Sequence, residues 1–501
     1  MMDTALIQDL KPHNELPLDP RYASLSHPYH TPVLPTPLPQ PRLLHFNRAL
    51  ATELGLDTGD QELIDILSGN RPWSAYAPLA SVYAGHQFGN WVSQLGDGRA
   101  LTIAEIRKPD GQRVELQLKG AGQTPYSRGA DGRAVLRSSI RKYLCSEAMH
   151  ALGIPTTRCL SLVSSPQPVQ RETEETAAVV CRVAPSFVRF GQFEFFYHHD
   201  RHAQLAPLAD HVIAENFPHL VGEPDRYARW LIEVVERTAR LIAQWQTVGF
   251  CHGVMNTDNF SILGLTLDYG PFGFLDAFRQ HHICNHSDYE GRYGYDSQPL
   301  IGQWNSSRLL QAVLPLLSDK QEAAADIVTS IYERYSPAYS HEAIRLWTAK
   351  LGLREIRDCD AALITRLLTI LHHSKSDFTR SFRHLSRVRT DCDAPSSGVR
   401  EEIADLQAFD AWISDYRIRL RAEDNTNDAA RATRMNRVNP KYVLRNHLAQ
   451  TAIENAMQGD NTEIDTLMQL LSRPYDEQSE MERYADAPPD ALRHLEINCS
   501  S

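Results

Sequence analysis

The stretch His252-Gly253-Val254-Met255-Asn256-Thr257-Asp258-Asn259, followed closely by Leu267-Asp268-Tyr269-Gly270, sets two hard oxygen donors near one another: the Asn259 amide and the Asp268 carboxylate. Donors of this kind suit Mg²⁺, which keeps much of its shell as water and phosphate oxygen and takes few protein ligands. Asp258, immediately before Asn259, is a carboxylate able to deprotonate or orient an incoming hydroxyl. Upstream, Gln94-Leu95-Gly96-Asp97-Gly98-Arg99 offers backbone N–H groups to a nucleotide, because neither Gly96 nor Gly98 carries a Cβ that would block approach. Lys119 supplies a cation for phosphate oxygens. Arg182 and Arg189, flanking Val183-Ala184-Pro185-Ser186-Phe187-Val188, supply guanidinium forks for bidentate phosphate contacts. Each residue alone has a plainer use: a loop-capping Asp, an Asp-Gly hairpin turn, a solvated strand Lys, or rim ion pairs. Their joint spacing is what points to nucleotide chemistry.

Such residues need a sheet, a hinge and a helical platform to hold them. Val114, Leu116 and Leu118 alternate with Glu115, Gln117 and Lys119, which predicts a half-buried strand with Lys119 on its polar face. Gly96-Asp97-Gly98 marks a tight turn between extended runs from Phe88 to Leu118, and the glycine-rich segment Lys119 to Arg133 stays flexible and polar where a nucleotide would lie. Arg133 to Leu152 reads as a helix, with Ile140, Leu144 and Ala148 on one face and Gly153 and Pro155 as stop signals. Strands are expected at Leu160 to Val163 and Ala177 to Val183. Helices are expected at Tyr227 to Val248, Ile327 to Tyr332, Ile344 to Leu351 and Ala361 to Leu371. Thr390 to Ser397 and Glu423 to Asp428 read as loops, and Asn439-Pro440 as the cap of a helix reaching about Met457 and closed by Gly459. Pro32, Pro35, Pro37, Pro39 and Pro41 predict an extended strap. The fold class is therefore α+β, strand-rich first and helix-rich after, in the order of a bilobal protein kinase with an added N-terminal arm and a helical C-terminal region. On the kinase pattern, Asn259 and Asp268 take the metal-binding positions, while Val254 stands where the catalytic Asp belongs. Ordinary phosphoryl transfer is not what this loop is built for.

Bulk properties narrow the class further. The chain has 501 residues, more than one core usually organises, and its 42% hydrophobic and 23% charged residues are a globular balance. A net charge of −11 argues against nucleic acid or anionic membrane as partner, so any phosphate site must be local. No apolar run approaches the length of a membrane span, and Met1-Met2-Asp3-Thr4-Ala5-Leu6 lacks a leader pattern, so a cytoplasmic protein is expected. The 8 cysteines show no CxxC spacing, which fits a reducing compartment.

Five strings carry a more specific likeness: Tyr83-Ala84-Gly85-His86-Gln87-Phe88-Gly89, Leu116 to Arg133, Arg182-Val183-Ala184-Pro185-Ser186, His252 to Asn259, and Met435-Asn436-Arg437-Val438-Asn439-Pro440-Lys441-Tyr442. In order and spacing they resemble the selenoprotein O (SelO, or YdiU) family, from about Tyr83 to the C-terminus. The resemblance implies a pseudokinase fold that binds ATP in a flipped orientation with Mg²⁺ or Mn²⁺ and attaches AMP to Ser, Thr or Tyr of protein substrates; some bacterial relatives also accept UTP. It places nucleotide contacts at Gly96, Gly98, Arg99, Lys119, Asp131, Gly132, Arg182, Arg189 and Asp268, the proton acceptor at Asp258, and the metal ligands at Asn259 and Asp268. It also implies a redox-active Cys499 near the C-terminus, with Cys284 the candidate partner for a disulfide. The corresponding division of the chain is an arm over 1–82, a strand-rich lobe over 83–188, a helical lobe over 189–422 and an extension over 423–501.

One departure stands out. Where the family carries a Glu that pairs with the strand lysine, this chain reads Arg141-Lys142-Tyr143, which leaves Glu147 as the candidate substitute partner of Lys119. Lys142 favours one alternative, a nucleotide-binding module without turnover. A small-molecule kinase is suggested by His252-Gly253 and opposed by Val254. A zinc site from His281, His282, Cys284, His286 and Asp288, and a basic face of Arg431, Arg434, Arg437, Lys441 and Arg445, near the cleft or simply solvated, are further readings.

Overall fold

The computed structural model describes residues 16–25, 27–57, 61–73, 76–392, 398–423, 427–493 and 495. Its first part carries the strands β1 (His30–Pro32), β2 (Arg42–Phe46), β3 (Leu79–Ser81), β4 (Gly85–Gln87), β5 (Asn90–Val92), β6 (Ala100–Arg107), β7 (Arg113–Lys119), β8 (Ala134–Val135), β9 (Arg158–Gln170) and β10 (Glu174–Ala184). Eight of them form one antiparallel sheet in the order β1-β3-β6-β7-β10-β9-β2, with β8 on β10, while β4 and β5 make a separate hairpin. The proline segment runs extended between β1 and β2, and those two strands tie it into the sheet.

The alternation in β7 has the expected period but a different meaning. Val114, Leu116 and Leu118 join Leu101, Ile103, Val179 and Cys181 in one apolar cluster with Trp73 and residues of α1 (Arg48–Leu54) and α2 (Gln61–Leu67). Glu115, Gln117 and Lys119 on the other face are buried as well. They face the helical part of the molecule, where β10 sets Arg182 directly across from Gln117. The half-buried strand is thus corrected to one buried on both faces. A tight turn does form at Gly96-Asp97-Gly98, where the Gly98 N–H donates to the Gly96 carbonyl at 2.8 Å, but it is not the reversal between the two long strands. These residues lead irregularly into β6, and the chain reverses between β6 and β7 at Lys108 to Gln112, where the Lys108 N–H donates to the Gln112 carbonyl at 2.7 Å.

The first long helix, α3 (Leu136–Ala151), begins later than expected because Ala134 and Val135 pair with β10 as β8, next to Arg133. Its guanidinium donates to the Thr36 and Pro37 carbonyls of the strap at 3.0 and 2.7 Å. The helical part follows with α4 (Phe190–His198), α5 (Leu205–Asn216), α6 (Arg226–Val248) and α7 (Gln298–Ala312), then Gln321–Tyr332, Tyr335–Lys350 and Asp360–Ser374. The last three outrun the expected apolar segments, since their remaining turns are amphipathic or polar. Trp230, Leu231, Val234, Val235, Ile242 and Trp245 form the buried stripe of α6. Gly249, left-handed at φ 73°, ends that helix and turns the chain directly into the His252 loop.

Two expectations near the C-terminus fail. Asn439 and Pro440 do not cap a helix: Asn439 is buried and donates its amide to the Lys350 carbonyl at 2.8 Å, and the helix starts at Asn446. Helices Asn446–Met457 and Thr462–Leu471 pack on α3 instead. The basic face also dissolves into separate ties. Arg445 is buried against Asp276 (2.5 Å) and Asp377 (2.9 Å), Arg431 against Asp428 (3.2 Å), and Arg434 donates to the Gly352 carbonyl (3.3 Å). Lys441 binds Glu477 (2.6 Å) and Glu482. Arg437 alone of the five is exposed. Among the described residues no helix is long and apolar enough to cross a membrane.

Candidate active site

A cavity of about 630 Å³ opens between the sheet and the helical part, and Gly96, Gly98, Arg99, Lys119, Asp131, Gly132, Arg182, Arg189, Asp258, Asn259 and Asp268 all line it. Eight Lys or Arg side chains face it against four Asp, so a strongly basic site sits inside a chain of net charge −11. That local excess is what a polyphosphate needs. Gly98 makes the edge thin: a Cβ there would lie 2.8 Å from the Tyr126 carbonyl oxygen. Gly132 is tighter, left-handed at φ 69° with a Cβ position 2.1 Å from the Gly122 backbone. Beside it, Asp131 is held by Arg171 through two hydrogen bonds of 2.8 and 3.0 Å.

The charged groups deep in the cavity are already organised around one carboxylate. Asp268 makes a partly buried ion pair with Lys119, lies 3.5 Å from the Arg182 guanidinium, and accepts from the Tyr269 N–H at 2.9 Å. Burial alone would raise this carboxyl, but Lys119, with Lys142 and Arg182 behind it, outweighs burial and holds it well below the usual carboxylate range. Arg182 also donates to Gln117 on β7 and to the Leu267 carbonyl (3.2 Å), which fixes its fork across the cavity wall.

Asn259 donates its amide N–H to the Val254 carbonyl at 3.0 Å, so its own carbonyl oxygen is the end left for a cation. Among the described residues no group of three or more His, Cys, Asp or Glu converges as a protein-built metal cage. Two hard oxygen donors lining one cavity fit a Mg²⁺ or Mn²⁺ that would complete its shell with phosphate oxygens and water.

Asp258 is packed from three sides. Arg189, at the start of α4, donates to its backbone carbonyl at 2.9 Å and lies over the Tyr83 ring at 4.8 Å. Gly191 of α4 leaves room for Ala84 and for the Asp258 backbone. The β4–β5 hairpin covers the side chain: the His86 N–H donates to Thr257 Oγ1 at 2.7 Å, and Gln87 Nε2 reaches Asp258 Oδ2 at 3.5 Å. Burial, only partly opposed by Arg189, pushes the Asp258 carboxyl up to about 6. His252, a second candidate base by type, is pushed down to about 4 by burial and stacks on Trp245 at 5.1 Å. It is a packing residue, and among the cavity's carboxylates Asp258 is the one that burial raises.

Several expectations are corrected here. Glu147 does not approach Lys119. It is held by Arg158 at 2.8 Å, by Asn47 at 2.8 Å and by the Cys159 N–H at 2.8 Å, on the far side of α3. Lys119 takes Asp268 as partner instead, and Lys142 lines the same cavity. The zinc reading fails because its residues diverge: His281 pairs with Asp296 at 2.5 Å, while the Cys284 sulfur lies 3.4 Å from that of Cys251. Cys284 is buried, and burial together with the Cys251 thiol raises it well above the ordinary thiol range. Cys499, the expected disulfide partner of Cys284, lies outside the described residues.

Sequence reasoning passed over Tyr83, Gln87 and Arg171 as cavity residues, and reached Tyr126 and Arg128 only as part of the Lys119 to Arg133 segment. Arg171 sits at the tip between β9 and β10, where no periodicity marks it. Gln87 belongs to a string already noticed, but nothing in its type tells that it meets Asp258.

A family model described as protein adenylyltransferase SelO matches residues 12–472. The chain is 66% identical over 489 residues to a protein nucleotidyltransferase YdiU of Methylococcus capsulatus, covering 97% of each chain. It is 53% identical over 496 residues to one of Paraburkholderia xenovorans, covering 96% of this chain and 95% of that one. Against one of Burkholderia thailandensis it is 51% identical over 512 residues, covering 99% and 98%.

Proposed function

Since the chain belongs to the SelO family of protein adenylyltransferases, we propose that it transfers AMP from ATP to Ser, Thr or Tyr hydroxyls of other proteins. The observation that carries this reading is the convergence of Asp258, Asn259 and Asp268 on one basic cavity whose loop holds Val254 where a phosphoryl-transferring kinase has its Asp. The acceptor oxygen attacks the α-phosphorus, pyrophosphate leaves with the bond electrons, and the hydroxyl proton passes to the Asp258 carboxylate. With a folded value of about 6 that group is ionised at neutral pH yet more basic than an exposed Asp. Gly96 and Gly98 allow close approach of backbone to phosphate; Arg99, Lys119, Arg182 and Arg189 take the charge of its oxygens. Asp131, oriented by Arg171, faces the nucleotide beside Gly132.

Asn259 and Asp268 would hold a Mg²⁺ or Mn²⁺, which when bound supplies charge neutralisation at the phosphates. Binding there requires Lys119 to release Asp268, and the phosphates give its ammonium a new partner. UTP is a second candidate donor, UMP transfer needing no other chemistry. The arrangement proposed is a kinase-like pair of lobes, 83–188 and 189–422, preceded by the arm 1–82 and followed by the extension 423–501, in a cytoplasmic protein. A second reading, nucleotide binding without turnover, is favoured by Lys142, a cation in the cavity where the family carries an acid. Incubation of the protein with ATP labelled at the α- or the γ-phosphate separates the readings: α-label on protein supports AMP transfer, γ-label supports a kinase, and no label supports the binding module.

A further inference from the structure

The tip of the β4–β5 hairpin carries a residue that its backbone does not favour. Gln87 pairs with Asn90, so Phe88 and Gly89 are the two turn residues, and both are left-handed, with φ of 49° and 82°. A two-residue turn of this hand favours Asn-Gly, and an aromatic residue at its first position is strained. The strain is sustained by the catalytic loop. The Phe88 N–H donates to the Tyr293 hydroxyl at 2.8 Å and to Asn256 Oδ1 at 3.3 Å, and the same Tyr293 hydroxyl donates to Asn256 at 2.7 Å. Arg292 braces the turn from below, its guanidinium 3.3 Å from the Cβ position of Gly89 and 4.7 Å from the Trp304 ring centre. The Phe88 ring rests on Tyr293 at 5.0 Å and is still 38% exposed. Its neighbour Gln87 lines the cavity and reaches Asp258.

A rigid, strained, exposed aromatic ring one residue from the side chain that touches the base is a device for contact with whatever brings the hydroxyl. We propose that Phe88 is a specificity residue, reading an apolar side chain close to the acceptor Ser, Thr or Tyr in an extended segment of the protein substrate. The inference rests on the transfer reading above. A hydroxyl delivered to Asp258 brings its flanking residues past the hairpin tip, and there the exposed ring face offers apolar area and no charge. Burying a facing apolar side chain is the interaction it can make. A turn needed only for structure would be served better by Asn.

The test uses the full chain, α-labelled ATP with Mg²⁺, and an arrayed peptide library in which one Ser, Thr or Tyr is flanked by randomised positions. The wild type is expected to favour an apolar residue at one or two flanking positions, by roughly tenfold in label. Phe88→Asn suits the left-handed backbone, so it should keep the unfolding midpoint and the KM for ATP while losing the flank preference. Phe88→Leu should retain most of it. Equal label on all flanks with the wild type would overturn the proposal, as would an unchanged preference in Phe88→Asn. A uniform loss across all peptides would do the same, assigning Phe88 to holding the loop. No α-label on either the peptides or intact protein would overturn the transfer reading itself, and this proposal with it, whereas label on intact protein and on no peptide would overturn this proposal alone.

Discussion

Gly85→Ala is the smallest change that should move the base without touching its chemistry. A Cβ at Gly85 would lie 2.9 Å from Asp258 Oδ1, 3.0 Å from Asp258 Cβ and 3.0 Å from Thr257 Oγ1. Contacts of this kind prefer about 3.5 Å, so either the hairpin or the Asp258 side chain must shift by about half an ångström. Gly85 is not in the left-handed region, so the cost is steric and not conformational. Inserting one methyl into so tight a contact costs about 1–3 kcal/mol. The hairpin is pinned through His86 on Thr257 and Phe88 on Tyr293, which leaves the Asp258 carboxylate, whose Oδ1 is buried without a hydrogen-bond partner, as the group that yields. A displaced base loses alignment with the acceptor hydroxyl, and misplacement by about 1 Å costs roughly 100-fold, so a loss of about 10- to 100-fold in kcat is expected. The KM for ATP should hold, because Gly85 is not among the cavity-lining residues. The assay is steady-state AMP transfer with parallel nucleotide titration and thermal unfolding. Unchanged kcat in a folded Gly85→Ala protein would refute the claim that the hairpin positions Asp258.

The other predictions address different parts of the site and of its support. Asp258→Ala should lower turnover by about 10²- to 10⁴-fold while sparing nucleotide affinity, and Asp268→Ala should abolish metal-dependent transfer; nucleotide titration beside transfer kinetics checks both. Lys142→Glu should draw Lys119 away from Asp268 and so lower the KM for Mg²⁺ severalfold, on the order of 1 kcal/mol; unchanged metal kinetics would show that the cation at that position does not act on Asp268. Lys350 lies 4.6 Å from the Phe382 ring centre and 5.7 Å from that of Phe378, and burial pushes its ammonium from 10.5 down to about 7. Because the folded value is depressed, the destabilising cost is full below pH 7 and fades as pH rises toward 10.5, so unfolding stability should increase over that window. Lys350→Met should remove the dependence and stabilise the protein at pH 6 by a few kcal/mol, on the order of 3. Chemical denaturation at pH 6 and pH 9 measures it.

The site was more legible in the sequence than the fold that holds it. That Asn259, Asp268 and Asp258 meet on one cavity was readable because the loop that carries them keeps a fixed spacing, whatever surrounds it. That Gly96, Gly98, Arg182 and Arg189 line the same cavity was readable from their types and order along the chain. What pairs with what was not legible. Glu147 looked like the partner of Lys119 by helix arithmetic, yet Arg158 on β9 and Asn47 at the start of α1 claim it, partners set by how the strand and α1 pack on α3 and not by helix spacing. The buried polar face of β7 had the pattern of a solvated one, since alternation reports two faces and not what covers each. Asn439 carries a capping residue type but spends its amide on the carbonyl of Lys350, a tertiary contact that outweighs local preference.

The central claim is that the α-phosphate, and not the γ-phosphate, ends on protein. The full chain incubated with Mg²⁺ or Mn²⁺ and ATP carrying either label, followed by mass spectrometry of the modified peptides, tests it directly. The account predicts a covalent AMP adduct on Ser, Thr or Tyr from α-labelled ATP, none from γ-labelled ATP, and loss of the adduct in Asp258→Ala. Phosphate transferred from the γ-position, or AMP transfer undiminished in Asp258→Ala, would contradict it.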